Sequence, residues 1–450
     1  MCGELAGFAT IAPMPEFNYF TSDLPQAPDL LALAANAPQH FPALLQSSQT
    51  QGWDILFALP SEFRLYAAHE GAALLRDLAM IGESAPIASD LPFQGGWVFY
   101  AGYELLELFE PSVISRTLGE YADFPVGVLI RCPAAIVLQR ETQAATLVAE
   151  TPELLAQLQE LLASAKAWQA QPLQIAAISE DDPQQFLDGA ARAKQYIVDG
   201  DVFQVNLSRG WDVSLSQGAA TDVYAALRIA NPAPFSAYLN LGAAGQIISS
   251  SPERLVQVKD GIVQTRPIAG TFARSLDPVE DAALKQRLLD TPKERAEHIM
   301  LVDLERNDLG RIAVPGTVKV DELMAVATYS FVHHIESNIR AELRAGLNTA
   351  DVLRALFPGG TITGCPKVRC MQIIRELEDR PRLAYTGSLG YINRDGSMDS
   401  NILIRTFVQR GEQLYFRAGA GIVADSDAEK ELQETRHKAR GLLRALGVAG

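Results

Sequence analysis

The period of the apolar positions changes along the chain and divides it into two regions. Up to residue 150 the apolar residues form short runs bounded by Gly and Pro, such as Trp53-Asp-Ile-Leu-Phe-Ala-Leu, Gly95-Gly-Trp-Val-Phe-Tyr and Pro125-Val-Gly-Val-Leu-Ile. Runs of this kind predict β-strands. Residues 152–168 place leucines at helical spacing behind Thr151, an N-cap candidate followed by Pro152 at the first helical position. A polar, Pro-containing connection follows, with a soft boundary at 170–183. From residue 184, helical patterns alternate with strand runs. The helices are expected at 184–199, 220–230, 277–289, 292–305, 349–356, 366–378 and 426–446. The strands are expected at 202–208, 235–240, 246–250, 254–258, 261–266, 383–392, 401–409 and 413–418. Short turns such as Lys259-Asp-Gly and Arg410-Gly-Glu favour antiparallel pairing. The expected fold is α+β, with 1–183 an N-terminal part of the same large fold and 184–450 the region that carries the chemistry.

Composition narrows the partners. A chain of 450 residues, 48% hydrophobic and 20% charged, is that of an ordinary globular protein. No run of about 18 apolar residues occurs, so no membrane span is expected. The net charge of −16 disfavours nucleic acid, which needs clustered Lys and Arg. It leaves room for an anionic small molecule, because a local basic pocket or a bound cation overrides the global field. Cys2, Cys132, Cys365 and Cys370 form no CxxC pair and suit reduced thiols. The N-terminus lacks a basic stretch ahead of a long apolar run, so no signal peptide is expected and the location is cytoplasmic.

Several segments could carry chemistry. Glu294 and Glu297 lie three apart on one predicted helix, so both carboxylates share a face. Glu431 and Glu434 repeat the spacing on the last helix, capped by Asp425 or Ser426, with Lys438 one turn beyond Glu434. Spacing alone fits solvated acidic faces or oxygen ligands for a hard cation such as Mg²⁺. Residues 306–311 read as a polar loop. The segment FPGGTITGCPK (357–367) is not a Walker A loop, since Cys365 and Pro366 stand where Lys and Ser/Thr are required. It is a tight turn or a loop offering N–H groups to a carboxylate. His333 and His334 sit on a predicted strand and point opposite ways. No GxSxG elbow or local Cys/His signature supports a nucleophilic hydrolase.

Six ordered segments resemble one family. They are RPIAGT (266–271), ERAEHIMLVDLERNDLGR (294–311), VHHIESNI (332–339), FPGGTITGCPKVRCMQII (357–374), GSLGYI with GSMDSNILIRT (387–406), and AGAGIVADS with the following helix (418–439). Together they resemble the chorismate-utilising enzymes: anthranilate synthase, aminodeoxychorismate synthase, and the isochorismate and salicylate synthases. The match is strong over 184–450 and weak before it. The resemblance implies large antiparallel sheets packed together with helices outside, as in anthranilate synthase component I, and Mg²⁺ bridging a carboxylate of chorismate. Glu297 and Glu434 match the direct metal ligands, with Glu294 and Glu431 nearby. Arg405 and Tyr385 match the groups that take the enolpyruvyl carboxylate. The backbone of Gly419, Ala420 and Gly421 matches donors to substrate, and Gly270, Thr271, Thr361 and Lys438 line the same pocket. Glu253 matches the acid that protonates the departing C4 hydroxyl, and His334 the histidine linked to pyruvate elimination.

Three positions bear on the product. Family members that activate water carry Lys where this chain has Gln204, so the resemblance favours amination. FPGGTITG and VHH resemble the branch that makes 4-amino-4-deoxychorismate toward p-aminobenzoate and folate. Ala269 stands where many members of that branch carry a nucleophilic Lys, and PIAGT is the form usual in anthranilate synthase, the alternative activity. No amidotransferase triad is evident, so ammonia is expected from a separate glutamine amidotransferase subunit. Some relatives hold an aromatic amino acid near the N-terminal region. The LLES sequence common in tryptophan-regulated members is absent, and no residues for such a site are assigned.

Overall fold

The computed structural model describes residues 18–82, 89–114, 118–329 and 332–448. Cys2, the N-terminal stretch used to judge a signal peptide, and Ser330 and Phe331 lie outside the described residues. The described strands form one twelve-stranded and one ten-stranded sheet. Every pairing is antiparallel. Strands from both sides of residue 183 interleave. Ala43–Gln46 pairs with Phe235–Asn240 in the larger sheet, and Gly96–Ala101 pairs with Ser388–Asn393 in the smaller.

Period-2 patterning explains the layers. On the strand Trp53–Ala58, Ile55 and Phe57 enter a core shared with Val98 and Tyr100 of the smaller sheet. Leu56 and Ala58 point the other way, to a second core with Leu31, Leu158, Leu227 and Leu442 of the helices. A strand buried on both faces reads as a continuous apolar run, which is why 53–59 shows no alternation. The turn at Asp260-Gly261 has both residues at positive φ (52° and 72°), the two-residue hairpin geometry that this sequence favours.

The structure corrects five expectations. The polar connection after residue 170 contains a strand, Gln174–Glu180, paired with Gln204–Gln217. It is a largely exposed edge strand, so it carries no apolar signal. The expected run 401–409 is two strands in different sheets, Met398–Ile402 and Thr406–Arg410, with Arg405 between them at φ 53°. The helix from Pro292 runs through the expected loop to Gly310, because Asp308 faces inward and its carboxylate lies 2.5 Å from Lys367 Nζ. The last helix, Ala428–Ala445, is capped by Asp427, which accepts the Lys430 N–H at 3.0 Å, not by Asp425 or Ser426. The helix after Thr151 ends at Ala163, short of 168.

Candidate active site

The site forms where the chain crosses between the sheets. Arg405 holds a left-handed backbone conformation, as do Leu383 and Thr386 in the neighbouring segment. Backbone bonds tie the two segments: Thr386 N–H donates to Leu403 O at 2.7 Å, and Leu403 N–H to Gly387 O at 2.8 Å. Among the described residues no protein group hydrogen-bonds or ion-pairs to the Arg405 guanidinium. Burial lowers its pKa, and the nearby Glu253 carboxyl pulls it back. A desolvated guanidinium without a counter-ion is a receptor for an anion, and its planar fork matches a carboxylate.

Glu253 follows the strand Gln246–Ser251 and is 5% exposed. Burial first, then the negative charges of Glu305 and Glu336, push its pKa up to about 8, against the Thr361 hydroxyl and the Ile268 N–H. At neutral pH it holds its proton, the state a general acid requires.

His334 and His333 do face opposite ways, and both are buried. His333 Nε2 lies 2.9 Å from Asp281 and its Nδ1 3.0 Å from the Thr328 hydroxyl. His334 Nδ1 lies 2.9 Å from the Thr271 hydroxyl and 3.3 Å from Gly270 O. A carbonyl only accepts, so Nδ1 carries the proton and Nε2 keeps the lone pair. Burial, then the Arg405 charge, lowers the His334 pKa to about 4, so the ring is neutral. A bulge between Ala269 and Thr271 sets Thr271 opposite His334. Gly270 makes that bulge at φ 70°, and a Cβ there would lie 2.9 Å from Glu294 Oε2. Ala269 is 7% exposed and packs in the sheet opposite Ile335.

The acidic residues come together only in part. Burial raises the Glu294 pKa, and the negative charges of Glu297 and Glu434 act in the same direction. Gln204 Nε2 donates to Glu297 Oε1 at 2.9 Å, and Glu434 Oε1 lies 3.6 Å from Lys438 Nζ. Glu431 accepts from Ser426 Oγ at 2.8 Å. Among the described residues no three His, Cys, Asp or Glu side chains converge as tightly as a bound ion requires.

Gly419, Ala420 and Gly421 lie within the strand Gln413–Ile422, which runs past its expected end at 418. This strand pairs along one edge with Gln204–Gln217, but along the other only as far as Phe416. Beyond that point the second edge pairs with no strand among the described residues, which leaves N–H groups for a ligand. A Cβ at Gly419 would lie 2.8 Å from Tyr385 Oη, and one at Gly421 2.3 Å from Gln204 Nε2. Burial pushes the Tyr385 phenol up to about 12.

Beneath Tyr385 lies a cluster the sequence reading missed. Glu378, 5% exposed, accepts from Ser208 N–H and Oγ (2.8 and 2.9 Å), from Arg382 (2.6 Å) and from Arg417 (3.1 Å). The Arg382 guanidinium lies over the rings of Tyr103 and Tyr385, 4.8 and 5.5 Å from their centroids. A separate cavity of about 730 Å³, lined by Trp53, Arg254, Tyr391, Asp399 and Asn401 among others, contains none of these site residues.

A buried arginine without a counter-ion beside a buried acid that keeps its proton suits the binding of an anionic small molecule. Comparison with known proteins gives the family: the chorismate binding enzyme profile matches residues 41–444, and the chain belongs to that family. It is 43% identical over 365 residues to an anthranilate synthase component I-like protein of Synechocystis sp., covering 80% of this chain and 74% of that relative. It is 41% identical over 361 residues to aminodeoxychorismate synthase component 1 of Salmonella typhimurium, covering 79% and 78%. Among solved structures, anthranilate synthase component I from Streptococcus pneumoniae superposes with a TM-score of 0.76 at 32% identity, covering 88% of this chain and 93% of that one. The fold is that of anthranilate synthase component I. Among the described residues no helix is long and apolar enough to cross a membrane.

Proposed function

We propose that the protein aminates chorismate with ammonia to give 4-amino-4-deoxychorismate, the precursor of p-aminobenzoate in folate synthesis. The observation that carries amination is Gln204. It is 2% exposed, its Nε2 is committed to Glu297, and its Oε1 has no hydrogen-bond partner among the described residues. An orphaned buried acceptor suits the N–H of ammonia. A neutral amide cannot deprotonate water, so hydroxylation is disfavoured. Arg405 takes a substrate carboxylate, Tyr385 and the open edge at Gly419–Gly421 complete the cradle, and Glu253 protonates the departing hydroxyl.

The donor set at Glu297 and Glu434, with Glu294 and Glu431 beside them, is all oxygen and suits Mg²⁺. Positive charge there offsets both the burial that chiefly raises Glu294 and the repulsion from Glu297 and Glu434 that adds to it. When bound, the ion supplies charge to a substrate carboxylate. Ammonia is drawn from a separate glutamine amidotransferase subunit, and the free thiols Cys132, Cys365 and Cys370 suit a cytoplasmic location.

A second reading is anthranilate formation. Ala269 offers no nucleophile, and His334 Nε2 keeps a free lone pair beside the site. Incubation with chorismate, Mg²⁺ and an ammonium salt, with and without an aminodeoxychorismate lyase, separates the two. The first reading predicts p-aminobenzoate only when lyase is present and no product in EDTA. Anthranilate fluorescence without lyase rejects it in favour of the second.

Arg405→Lys tests the cradle. Losing the fork is expected to cost roughly 1.5–3 kcal/mol, on the order of a 10- to 150-fold weaker chorismate Kd by titration calorimetry. An unchanged Kd argues against a carboxylate at Arg405.

A further inference from the structure

The edge strand Gln174–Glu180 ends on a carboxylate that joins two elements of the site. Glu180 accepts from Arg436 through Nη2 at 2.6 Å and Nε at 3.3 Å, and from Arg209 Nη1 at 3.2 Å. Arg209 stands on the strand Gln204–Gln217, which begins at the amide assigned to ammonia. It is 2% exposed, its Nη2 donates to Asp181 O, and its guanidinium lies 5.2 Å from the Trp211 ring centroid. Arg436 stands on the helix Ala428–Ala445, which carries Glu431, Glu434 and Lys438. Burial works against the ionised Glu180, but Arg436 and Arg209 outweigh it and hold its pKa below the ordinary value. One carboxylate thus binds the strand of Gln204 to the helix of Glu434.

The helix needs such a contact. Its buried stripe is Leu432, Thr435, Ala439, Leu442 and Ala445. Leu432 enters the core that holds Val205 and Ile422, and Ala439 and Leu442 enter the core that holds Phe416 and Ala418. Beside Glu434 the stripe consists of Thr435 and Ala439, side chains too small to interlock deeply with the sheet. Apolar packing there does little to fix the rotation of the helix about its axis. Polar contacts supply the rest. At the N-terminal end Lys194 Nζ donates to Ser426 O at 2.6 Å, and Ser426 Oγ donates to Glu431 at 2.8 Å. Further along stands Arg436. At 3.6 residues per turn, two residues separate Arg436 from Glu434 by about 200°, so the two side chains leave on opposite flanks. With Arg436 held to Glu180, Glu434 is turned to the other flank, where its Oε1 lies 3.6 Å from Lys438 Nζ.

We infer that the Glu180–Arg436 pair is a positioning contact for the metal site, setting the rotation of the last helix so that Glu434 can share a divalent cation with Glu297. The inference rests on the proposed binding of Mg²⁺ by those two glutamates. Glu297 is oriented from the other side, since it accepts from Gln204 Nε2 at 2.9 Å. Gln204 and Arg209 belong to one strand. Through Arg209 and Glu180 the helix is therefore referred to the same strand that orients Glu297. Glu180 and Arg436 act through Glu434 and are not themselves ligands.

The test is the Mg²⁺ Kd of Arg436→Met, measured by titration calorimetry with saturating chorismate and no ammonia. Met keeps an apolar stem and leaves the Arg209–Glu180 pair in place, so the buried Arg209 is not stranded. Mg²⁺ is expected to bind about tenfold more weakly, within the range for losing a contact that supports a metal ligand. Arg436→Lys, which can still donate to Glu180, should recover most of that affinity. Melting curves are recorded alongside. A contact that merely stabilises the fold lowers Tm and leaves the Mg²⁺ Kd where it was, and that result overturns the inference. A Kd as weak in Arg436→Lys as in Arg436→Met overturns it too. Glu434→Ala titrated in the same way separates the layers. Undiminished Mg²⁺ binding in Glu434→Ala removes the proposed ligand and the inference with it. Lost binding there, beside a wild-type Kd in Arg436→Met, removes only the positioning contact.

Discussion

Glu253→Gln is expected to lower kcat by about two to four orders of magnitude, the range for removal of a positioned general acid. Gln keeps the shape and the hydrogen-bonding oxygen but has no proton to give, so chorismate binding should change little. In the wild type, kcat should fall as pH rises through about 8, because the acid works only while protonated. The same substitution should raise stability. A carboxyl whose folded pKa lies above its unfolded value costs nothing below the unfolded value of about 4.3. Between there and about 8 the unfolded chain ionises while the folded site does not, and the cost grows until it is complete above 8. Gln is free of that cost, so the Tm gain of Glu253→Gln should be small at pH 5 and larger at pH 8. Melting curves at the two values check it, and a Tm loss at pH 8 would argue that Glu253 is ionised and paired in the fold. Lost activity joined to gained stability is the mark of a group kept for chemistry.

The extent to which the site was legible in the sequence follows from which residues carry local signals. Glu294, Glu297, Gly419 and Arg405 stand in ordered motifs, and those motifs led to the family that the comparisons then showed. Motif position does not report geometry. The strand run through Arg405 looked continuous because Leu403 and Ile404 are apolar, while the chain there leaves one sheet for the other. Asp308 was hidden by reading Arg306–Arg311 as a loop on polarity alone. Helical spacing from Glu294 through His298, Leu301 and Glu305 to Asp308 does put them on one inward face, and that signal was present. The Asp308–Lys367 pair that holds the last turn joins residues far apart in sequence, which no local pattern reveals. Gln174–Glu180 was missed for the opposite reason: an edge strand needs hydrogen-bond partners rather than apolar residues, and its partner lies across the chain. The Glu378 cluster combines both difficulties, being polar, buried and assembled from three separate segments.

Glu378→Ala is expected to destabilise the protein by about 3–5 kcal/mol, the cost of leaving buried charge without its counter-ion. Two guanidiniums depend on this one carboxylate. Arg382 and Arg417 are each 2% exposed, and Arg382 donates to Glu378 through both Nε (3.0 Å) and Nη2 (2.6 Å). Burial works against the ionised Glu378, but the charges of Arg382 and Arg417 and the Ser208 N–H outweigh it and hold the pKa below the ordinary value. A depressed folded pKa contributes stability that is fully present above the unfolded pKa of about 4.3 and is lost as pH falls through the folded value. The gap between wild type and Glu378→Ala in denaturant midpoint should therefore be widest near neutrality and close in acid. A gap independent of pH would mean the loss is one of packing, not charge. The consequence reaches the site, because Arg382 lies over Tyr385, while Arg417 donates to Ser208 two residues from Asn206. Asn206 in turn holds the Thr361 carbonyl at 3.0 Å. Glu378→Ala that still folds at low temperature should consequently raise KM for chorismate more than it lowers kcat. The cluster fixes where Tyr385 and Thr361 stand but touches none of the atoms that exchange a proton.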